Sequence, residues 1–279
     1  MSPRRRSRNS GCLGRLAVAA VLLLAALFAW AAADVARLDV ASLARENPER
    51  TSLMRQRERE AAAKGVRYAI RHRWVPYESI SPHLRRAVLI AEDDAFFSHD
   101  GLDWNEIKAS ARKDLQTGRI ARGGSTITQQ LAKNLWLGTE RTPLRKFKEL
   151  LLALRLEREL SKRRIFELYL NSIEWGDGVF GAEAAARRWY GTSASQLSAR
   201  QSVRLAAVII NPRRYSPVEP PRRIERRVRM IASRMKRRGE LSEAGWREVL
   251  GLPEPEPVEV APMPAESTSG AAESTATPE

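Results

Sequence analysis

The sequence has a single cysteine and few histidines, which limits the covalent and metal chemistry open to it. Cys12 has no second cysteine with which to form an internal disulfide, and only three histidines are present among 279 residues. No Cys and His residues are paired at the spacing of a structural zinc site. A fold stabilised by internal disulfides or by a structural zinc ion is therefore excluded.

Acidic residues are scarce relative to basic ones. The chain has 33 Asp and Glu against 48 Lys and Arg, a formal net charge of +15 and a pI near 10.7. This excess implies an anionic partner, which is a nucleic acid, an anionic membrane surface or a phosphorylated substrate. Because 43% of the residues are hydrophobic, the chain is long enough for one sizeable core, and we expect one main domain.

Only one long hydrophobic run is present, from Leu16 to Ala33, with Trp30 near its end. The arginines that precede it are Arg4, Arg5, Arg6, Arg8 and Arg15. Basic residues stay on the cytoplasmic side of a membrane, so this pattern predicts a single transmembrane anchor with the rest of the chain exported. The small residues Ala31–Ala33 leave a cleaved signal peptide as the alternative.

A cluster of carboxylates follows a shorter apolar run. Residues 87–91 predict a buried helix, and Glu92, Asp93 and Asp94 come directly after it. A carboxylate beside apolar neighbours pairs with a cation or shifts its pKa, and such groups are often catalytic. The residues themselves leave two interpretations open: a catalytic carboxylate, or a capped and solubilised helix end.

Two glycines then lead into another helix. Residues 123–124 are followed by Ser125 and Thr126, and Thr126 forms the pattern of a capping box with Gln129. We expect such a helix start to present free backbone N–H groups and a positive dipole end, which suit a phosphate. The polar side chains that follow at i, i+3 and i+4 on one face are Gln130, Lys133 and Asn134.

Four motifs in this order resemble those of the peptidoglycan glycosyltransferases. They are Glu-Asp-x-x-Phe-x-x-His-x-Gly at 92–101, Gly-Gly-Ser-Thr-Ile-Thr-Gln-Gln-Leu-x-Lys-Asn at 123–134, Arg-Lys-x-x-Glu at 145–149, and Lys-x-x-Ile-x-Glu-x-Tyr-Leu-Asn at 162–171. The similarity extends from about residue 68 to about residue 217. It implies a mainly α, two-lobed, lysozyme-like glycosyltransferase domain on a single N-terminal transmembrane helix.

The resemblance also implies a reaction. Members of this family polymerise lipid II into linear glycan strands, transferring the growing chain from its polyprenyl pyrophosphate to a GlcNAc hydroxyl of the acceptor. Glu92 matches the family's general base, and Glu149 matches its second essential glutamate, which is assigned to the leaving pyrophosphate. The spacing of Arg145 and Glu149 is equally that of an intrahelical ion pair.

The same motifs imply a set of substrate-binding residues. These are Asp93, His99, Ser125, Thr126, Gln130, Lys133, Asn134, Arg145 and Lys146. The three cations among them, Lys133, Arg145 and Lys146, would neutralise charge on the pyrophosphate. Asp93 and His99 would also hold the first motif in shape. Glu167, Tyr169 and Asn171 of the fourth motif are either structural or in contact with substrate.

The resemblance implies the partners and the location as well. We expect lipid II, the growing glycan strand, the cytoplasmic (inner) membrane and cell-division or elongation proteins as partners, and no nucleic acid. No tightly bound cofactor is expected, although a divalent cation, Mg²⁺ or Mn²⁺, is an option at the pyrophosphate. The catalytic domain would be periplasmic or extracellular. Many members of the family continue into a transpeptidase domain with a serine nucleophile. Here Ser110-x-x-Lys113 and Ser233-x-x-Lys236 match the bare Ser-x-x-Lys pattern, but no Lys-Thr-Gly accompanies them, so a monofunctional enzyme is expected.

Two other functions fit part of the pattern. A membrane-bound, lysozyme-like enzyme that cleaves glycan would also use paired carboxylates on a helical scaffold. A non-catalytic membrane-anchored scaffold for cell-wall machinery would use the basic surface to bind anionic lipid or glycan. The phosphate-binding character of the second motif argues against cleavage, and the presence of Glu92 and Glu149 argues against a silent scaffold.

The remaining expectations concern boundaries. The predicted segments are a basic cytoplasmic segment 1–15, an anchor 16–33, a charged linker or helix 34–66, the catalytic domain 67–250 and a disordered tail 251–279. Within the domain we predict a strand over 68–76 and helices over 82–92, 104–115, 127–137, 144–160, 162–171, 182–189 and 198–210. Residues 222–238 predict a strongly basic helix that lies near the anionic membrane surface or simply faces solvent.

Overall fold

The computed structural model describes residues 9–104, 108, 112 and 124–254. Its elements, in chain order, are α1 Asn9–Ala36, α2 Ser52–Ala62, β1 Arg71–His72, α3 Pro82–Glu92, α4 Ile127–Ala132, α5 Pro143–Glu159, α6 Lys162–Ser172, β2 Glu174–Gly176, β3 Val179–Phe180, α7 Ala182–Tyr190, α8 Ala199–Val208, α9 Arg222–Arg237 and α10 Glu243–Leu250. The prediction of a mainly helical fold is confirmed. Residues 1–8 of the predicted cytoplasmic segment 1–15, most of the predicted helix 104–115, and residues 255–279 of the predicted tail 251–279 lie outside the described residues.

The only strands among the described residues form a small three-stranded sheet in the order β1-β3-β2. β1 runs parallel to β3, and β2 runs antiparallel to it. The predicted strand over 68–76 is too long, because pairing stops after His72. Beyond it, Val75 is bonded through its backbone to the side chain of Asn171 rather than to a neighbouring strand.

Two groups of helices form the lobes of the domain. In one group α3 packs on α8 and α9, and in the other α4 packs on α5 and α6. Fully buried aromatic side chains join them into one continuous core, including Phe96, Phe166, Tyr169 and Trp175. This arrangement confirms the predicted two-lobed, lysozyme-like architecture and leaves a cleft where the lobes meet.

The helix predicted over 127–137 changes its winding halfway. Residues 127–132 are α-helical, but Lys133–Leu137 form a π-helical turn that ends at Gly138, whose φ is +73°. The Gly138 N–H donates to the carbonyl of Lys133 at 3.0 Å, one residue farther back than in an α-helix. Within this turn Lys133 lines the cleft, whereas Asn134 is buried.

The N-terminal helix α1 is apolar and docks on the domain. Gly14–Ala36 has a mean hydropathy of 2.5 and is long enough to cross a membrane, by length and composition alone. The C-terminal part of α1 packs on α5. There the rings of Phe28 and Phe147 meet edge to face, with their centroids 4.6 Å apart. Lys148 binds Asp34 at 2.7 Å, so the end of the apolar helix is attached to the catalytic domain.

Helix α2 lies within the predicted linker and joins it to the domain. Leu53 and Met54 are buried, and Arg57 donates from Nη2 to the buried Glu174 Oε2 at 3.0 Å. Burial raises the pKa of Glu174 above its usual range, and Arg57 opposes this by stabilising the carboxylate. This charged helix is part of the fold rather than a solvated spacer.

Asn171 of the fourth motif is fully buried and acts as a structural bridge. Its Oδ1 accepts from the Val75 N–H at 3.1 Å, and its Nδ2 donates to the Val75 carbonyl at 3.0 Å. Glu167 similarly accepts from the Tyr77 N–H at 3.2 Å. These contacts favour the structural interpretation of the fourth motif over substrate contact.

We therefore expect Asn171→Ala to destabilise the domain. The substitution leaves both polar backbone groups of the half-buried Val75 without protein partners. A fully buried group in that state costs about 1–3 kcal/mol, so we expect a cost toward the lower end of that range for each group. Urea unfolding of the detergent-solubilised protein measures the loss. Asn47→Ala is the matched control, because Asn47 is exposed and its one side-chain hydrogen bond, accepted from Arg164 Nη2 at 2.7 Å, lies at the surface, so its loss should cost about 1 kcal/mol or less. Equal unfolding free energies for the two variants would contradict the structural role.

Candidate active site

Glu92 is the last residue of α3, and its carboxylate lies in the cleft with 13% of the side chain exposed. Oε1 accepts from Arg227 Nη2 at 2.6 Å, and Oε2 accepts from Gln130 Nε2 at 3.1 Å. Burial raises the pKa of Glu92, while Arg227 and Gln130 act in the opposite direction. The site therefore holds a carboxylate whose proton affinity exceeds that of an exposed glutamate.

The first motif is attached directly to the second. Asp93 Oδ2 accepts from the Ile127 N–H at 3.0 Å, and Asp93 Oδ1 lies 3.0 Å from His99 Nε2. Thr126 Oγ1 donates to the Gly101 carbonyl at 2.7 Å. These bonds fix the end of α3 beside the start of α4. Contact of Asp93, His99 or Thr126 with substrate stays a prediction.

The capping box predicted at the start of α4 is confirmed. Thr126 Oγ1 accepts from the Gln129 N–H at 3.3 Å, and Gln129 Oε1 accepts from the Thr126 N–H at 3.2 Å. Because Asp93 takes the Ile127 N–H as well, the protein itself satisfies these backbone donors. The expectation of free N–H groups for a phosphate is wrong at these positions, and charge for an anion comes from side chains.

Gln130 reaches Glu92 in a fixed orientation. The hydroxyl of the fully buried Tyr169 donates to Gln130 Oε1 at 3.1 Å, which turns Nε2 of the same amide toward Glu92. Tyr169 belongs to the fourth motif, so that motif supports the site through Gln130. A chain of hydrogen bonds thus runs from the core of the domain to the carboxylate in the cleft.

Glu149 lies in a group of cations and is itself 3% exposed. Its Oε2 accepts from Arg145 Nη1 at 2.5 Å, which confirms the i, i+4 ion pair, and its Oε1 is bonded by Lys146. Lys146 also donates to Ser125 Oγ at 3.1 Å. Both carboxylate oxygens are therefore engaged, and Glu149 orients two cations at the edge of the cleft.

Lys133 is the half-buried cation of the cleft that is best suited to bind an anion. Burial lowers its pKa, which Glu149 opposes, and in the part of the chain that the structure describes its ammonium forms no hydrogen bond or ion pair. Lys133 lines the cleft together with Glu92. A half-buried ammonium without a protein partner is stabilised by an anionic ligand.

These residues do not fit a divalent cation held by the protein. Arg145 and Lys146 already occupy both oxygens of Glu149, and Lys133 adds a third positive charge nearby. Among the described residues, no group of three or more His, Cys, Asp and Glu side chains is placed to hold a metal ion. The donor set suits an anion instead.

The cleft has a volume of about 680 Å³ and joins both lobes. Among the predicted site residues, those that line it are Glu92, Ser125, Gln130 and Lys133. The others, which flank or support it, are Asp93, His99, Thr126, Asn134, Arg145, Lys146 and Glu149. Four arginines that the sequence did not indicate also line the cleft, namely Arg141, Arg214, Arg223 and Arg227.

The sequence interpretation missed Arg227, which bonds Glu92 directly. The basic helix α9 does not simply face solvent, because Ile224, Val228 and Ile231 are buried against α3 and α8. Arg227 lies three residues after Ile224 and four before Ile231, so it belongs to the edge of the buried face. This position beside the apolar residues of the helix was the signal in the sequence that Arg227 packs against the domain.

Comparisons with known proteins agree with this geometry. Residues 57–236 match the protein-family model described as Transglycosylase. Three similar curated proteins are each named biosynthetic peptidoglycan transglycosylase. The protein of Methylobacillus flagellatus is 51% identical over 190 residues, which cover 68% of this chain and 83% of that protein. That of Nitrosospira multiformis is 49% identical over 189 residues, or 68% and 82% of the two chains.

The third relative, from Azoarcus sp., is 48% identical over 210 residues, which cover 75% of this chain and 89% of the relative. The family that the four motifs indicated is thus confirmed over most of the folded domain. The chain belongs to the transglycosylase family and is a glycosyltransferase.

Proposed function

We propose that this enzyme polymerises lipid II into linear peptidoglycan strands. The growing chain is the donor, and the GlcNAc hydroxyl of an incoming lipid II is the acceptor. The family and the names of its relatives supply the substrate class. The observation that carries the proposal is that one cleft contains both the Glu92 carboxylate, whose side chain is 13% exposed, and the half-buried ammonium of Lys133, which forms no ion pair among the described residues.

Glu92 acts as the general base in this proposal. It takes the proton of the acceptor hydroxyl while the hydroxyl oxygen bonds to the anomeric carbon of the donor, forming a β-1,4 link. The bond from that carbon to the pyrophosphate oxygen breaks, and the polyprenyl pyrophosphate leaves with the electron pair. The raised pKa of Glu92 supports the role, since a base must hold the proton it receives.

Lys133 stabilises the negative charge on the leaving pyrophosphate. A half-buried cation held in place by the fold stabilises charge that develops as the bond breaks, with little reorganisation at that moment. Arg145 and Lys146 add positive charge at the same edge, and Glu149 holds both in place. Glu149 thus acts through cations, and no metal ion is needed to connect it with the pyrophosphate.

The other residues of the second motif hold the substrate. Ser125 lines the cleft beside Lys146, where its hydroxyl is placed for a phosphate or sugar oxygen. Gln130 contacts Glu92, so its amide lies where the acceptor hydroxyl must approach. Asn134, Thr126, Asp93 and His99 are assigned to the support of these groups.

The domain works at the outer face of the cytoplasmic membrane in this proposal. The arginines before α1 favour a cytoplasmic N-terminus, and the contacts of Phe28 and Asp34 with α5 favour a retained anchor over a cleaved signal peptide. A lipid-linked substrate requires this location, because its polyprenyl chain stays in the bilayer.

The test is incubation of the detergent-solubilised full-length protein with labelled lipid II, followed by separation of the products by size. We expect long glycan polymer. Shortening of added preformed glycan, with no polymer from lipid II, would establish a cleaving enzyme instead. Absence of both, in protein shown to be folded by circular dichroism, would favour a non-catalytic scaffold.

A further inference from the structure

Arg227 approaches Glu92 from a helix outside the four motifs. Its Nη2 donates to Glu92 Oε1 at 2.6 Å and to the Ala91 carbonyl at 2.9 Å, so one guanidinium contacts the side chain and the backbone at the end of α3. The Arg227 side chain is 21% exposed. It thus joins α9 to the final turn of the helix that delivers the carboxylate.

The placement of Arg227 has a cost that these two contacts must offset. Its Nε is buried and has no hydrogen-bond partner among the described residues. A buried donor without a partner is unfavourable, so packing by itself does not favour an arginine here. An apolar side chain at this position would avoid that cost, and the contacts of Nη2 explain why a guanidinium is present.

The charged groups around Glu92 come from several elements. Arg227 faces it from α9, Lys133 from the π-helical turn after α4, Tyr169 from α6 through Gln130, and Asp93 follows it in the chain. Asp93 and Tyr169 carry no positive charge, and Lys133 makes no ion pair with Glu92. Among the described residues, Arg227 is therefore the one cation bonded to the carboxylate.

We propose that Arg227 is a positioning residue for the general base, holding the Glu92 carboxylate ionised and in one orientation so that Oε2 faces the acceptor. The proposal rests on the function proposed above. A buried carboxylic acid that keeps its own proton cannot take another, and burial alone favours that protonated form. The guanidinium also fixes Oε1, which leaves the oxygen beside Gln130 as the one that receives the proton.

The pH dependence of polymerisation tests this role. An opposite charge within about 4–6 Å lowers a carboxyl pKa by about 1–3 units, so its removal raises the pKa of Glu92 further. For Arg227→Ala we expect the acidic limb of kcat/KM to move about 1 unit or more toward higher pH. Activity is lost at acidic and neutral pH and recovers at alkaline pH, where Glu92 ionises again.

Two further variants sharpen the experiment. Arg227→Lys keeps the positive charge, so we expect its acidic limb to stay near that of the wild type, with a lower kcat because the second contact is lost. Arg229→Ala removes an exposed arginine of the same helix and should leave both rate and profile unchanged. The KM for lipid II should stay within about threefold in Arg227→Ala, because the residue acts through Glu92.

A loss of activity in Arg227→Ala that is equal at every pH, or that follows a lower melting temperature, would overturn the positioning role. An unchanged profile would overturn it as well. The Glu92→Gln variant shows whether a failure concerns Arg227 or the proposed base. If Glu92→Gln is inactive and the pH profile of Arg227→Ala is that of the wild type, only the role of Arg227 is refuted. If Glu92→Gln is active, the assignment of Glu92 as the base is refuted.

Discussion

Glu92→Gln is expected to stop glycan polymerisation while the domain stays folded. Glutamine has nearly the same shape, and its amide oxygen still accepts a hydrogen bond from Arg227 Nη2, which lies 2.6 Å from the native carboxylate oxygen. The amide has no basic site for the proton of the acceptor hydroxyl. Loss of a general base lowers the rate by about 10²–10⁴-fold, so polymer should fall below detection in an ordinary assay.

The control for this experiment is Glu248→Gln, which makes the same chemical change on the exposed face of α10. We expect that variant to polymerise lipid II at the wild-type rate. Both variants should melt within a few degrees of the wild type, since neither removes packing atoms. Glycan synthesis by Glu92→Gln at more than a tenth of the wild-type rate would refute the assignment of the base.

The parts of the fold and site that the sequence predicted are those encoded locally. The capping box of Thr126 and Gln129 needs only residues three apart, and the pair of Arg145 with Glu149 needs only one turn of helix. The start of α3 follows from Pro82 at its first turn. Such features recur at fixed spacing in any helix, so a pattern of residue types is sufficient to find them.

The parts that the sequence did not predict depend on contacts between distant segments. Arg227 and Glu92 are 135 positions apart, and only the packing of α9 on α3 brings them together. The π-helical turn at Lys133 is a local change of winding, yet no residue type specifies it. The backbone donor of Ile127 is taken by Asp93, which a reading of the helix start alone cannot reveal.

Lys133→Ala is expected to lower polymerisation strongly without destabilising the domain. Removal of one group that stabilises developing negative charge costs about 10²–10³-fold in rate in comparable sites. The stability expectation follows from the lowered pKa of Lys133, whose first cause is burial. A depressed pKa means that the fold disfavours the ammonium, so its removal relieves a cost instead of breaking an ion pair.

Kinetics and melting of Lys133→Ala, measured beside Lys64→Ala, separate binding from folding. Lys64 is exposed near the end of α2, so its loss should change neither the rate nor the melting temperature. If Lys133 receives the pyrophosphate, its variant loses kcat while its melting temperature stays equal to or above that of the wild type. A clear fall in melting temperature would instead assign Lys133 a structural part in the π-helical turn. In that case Arg141 or Lys146 would stabilise the leaving pyrophosphate, and the alanine variant of that residue would lose more activity than Lys133→Ala.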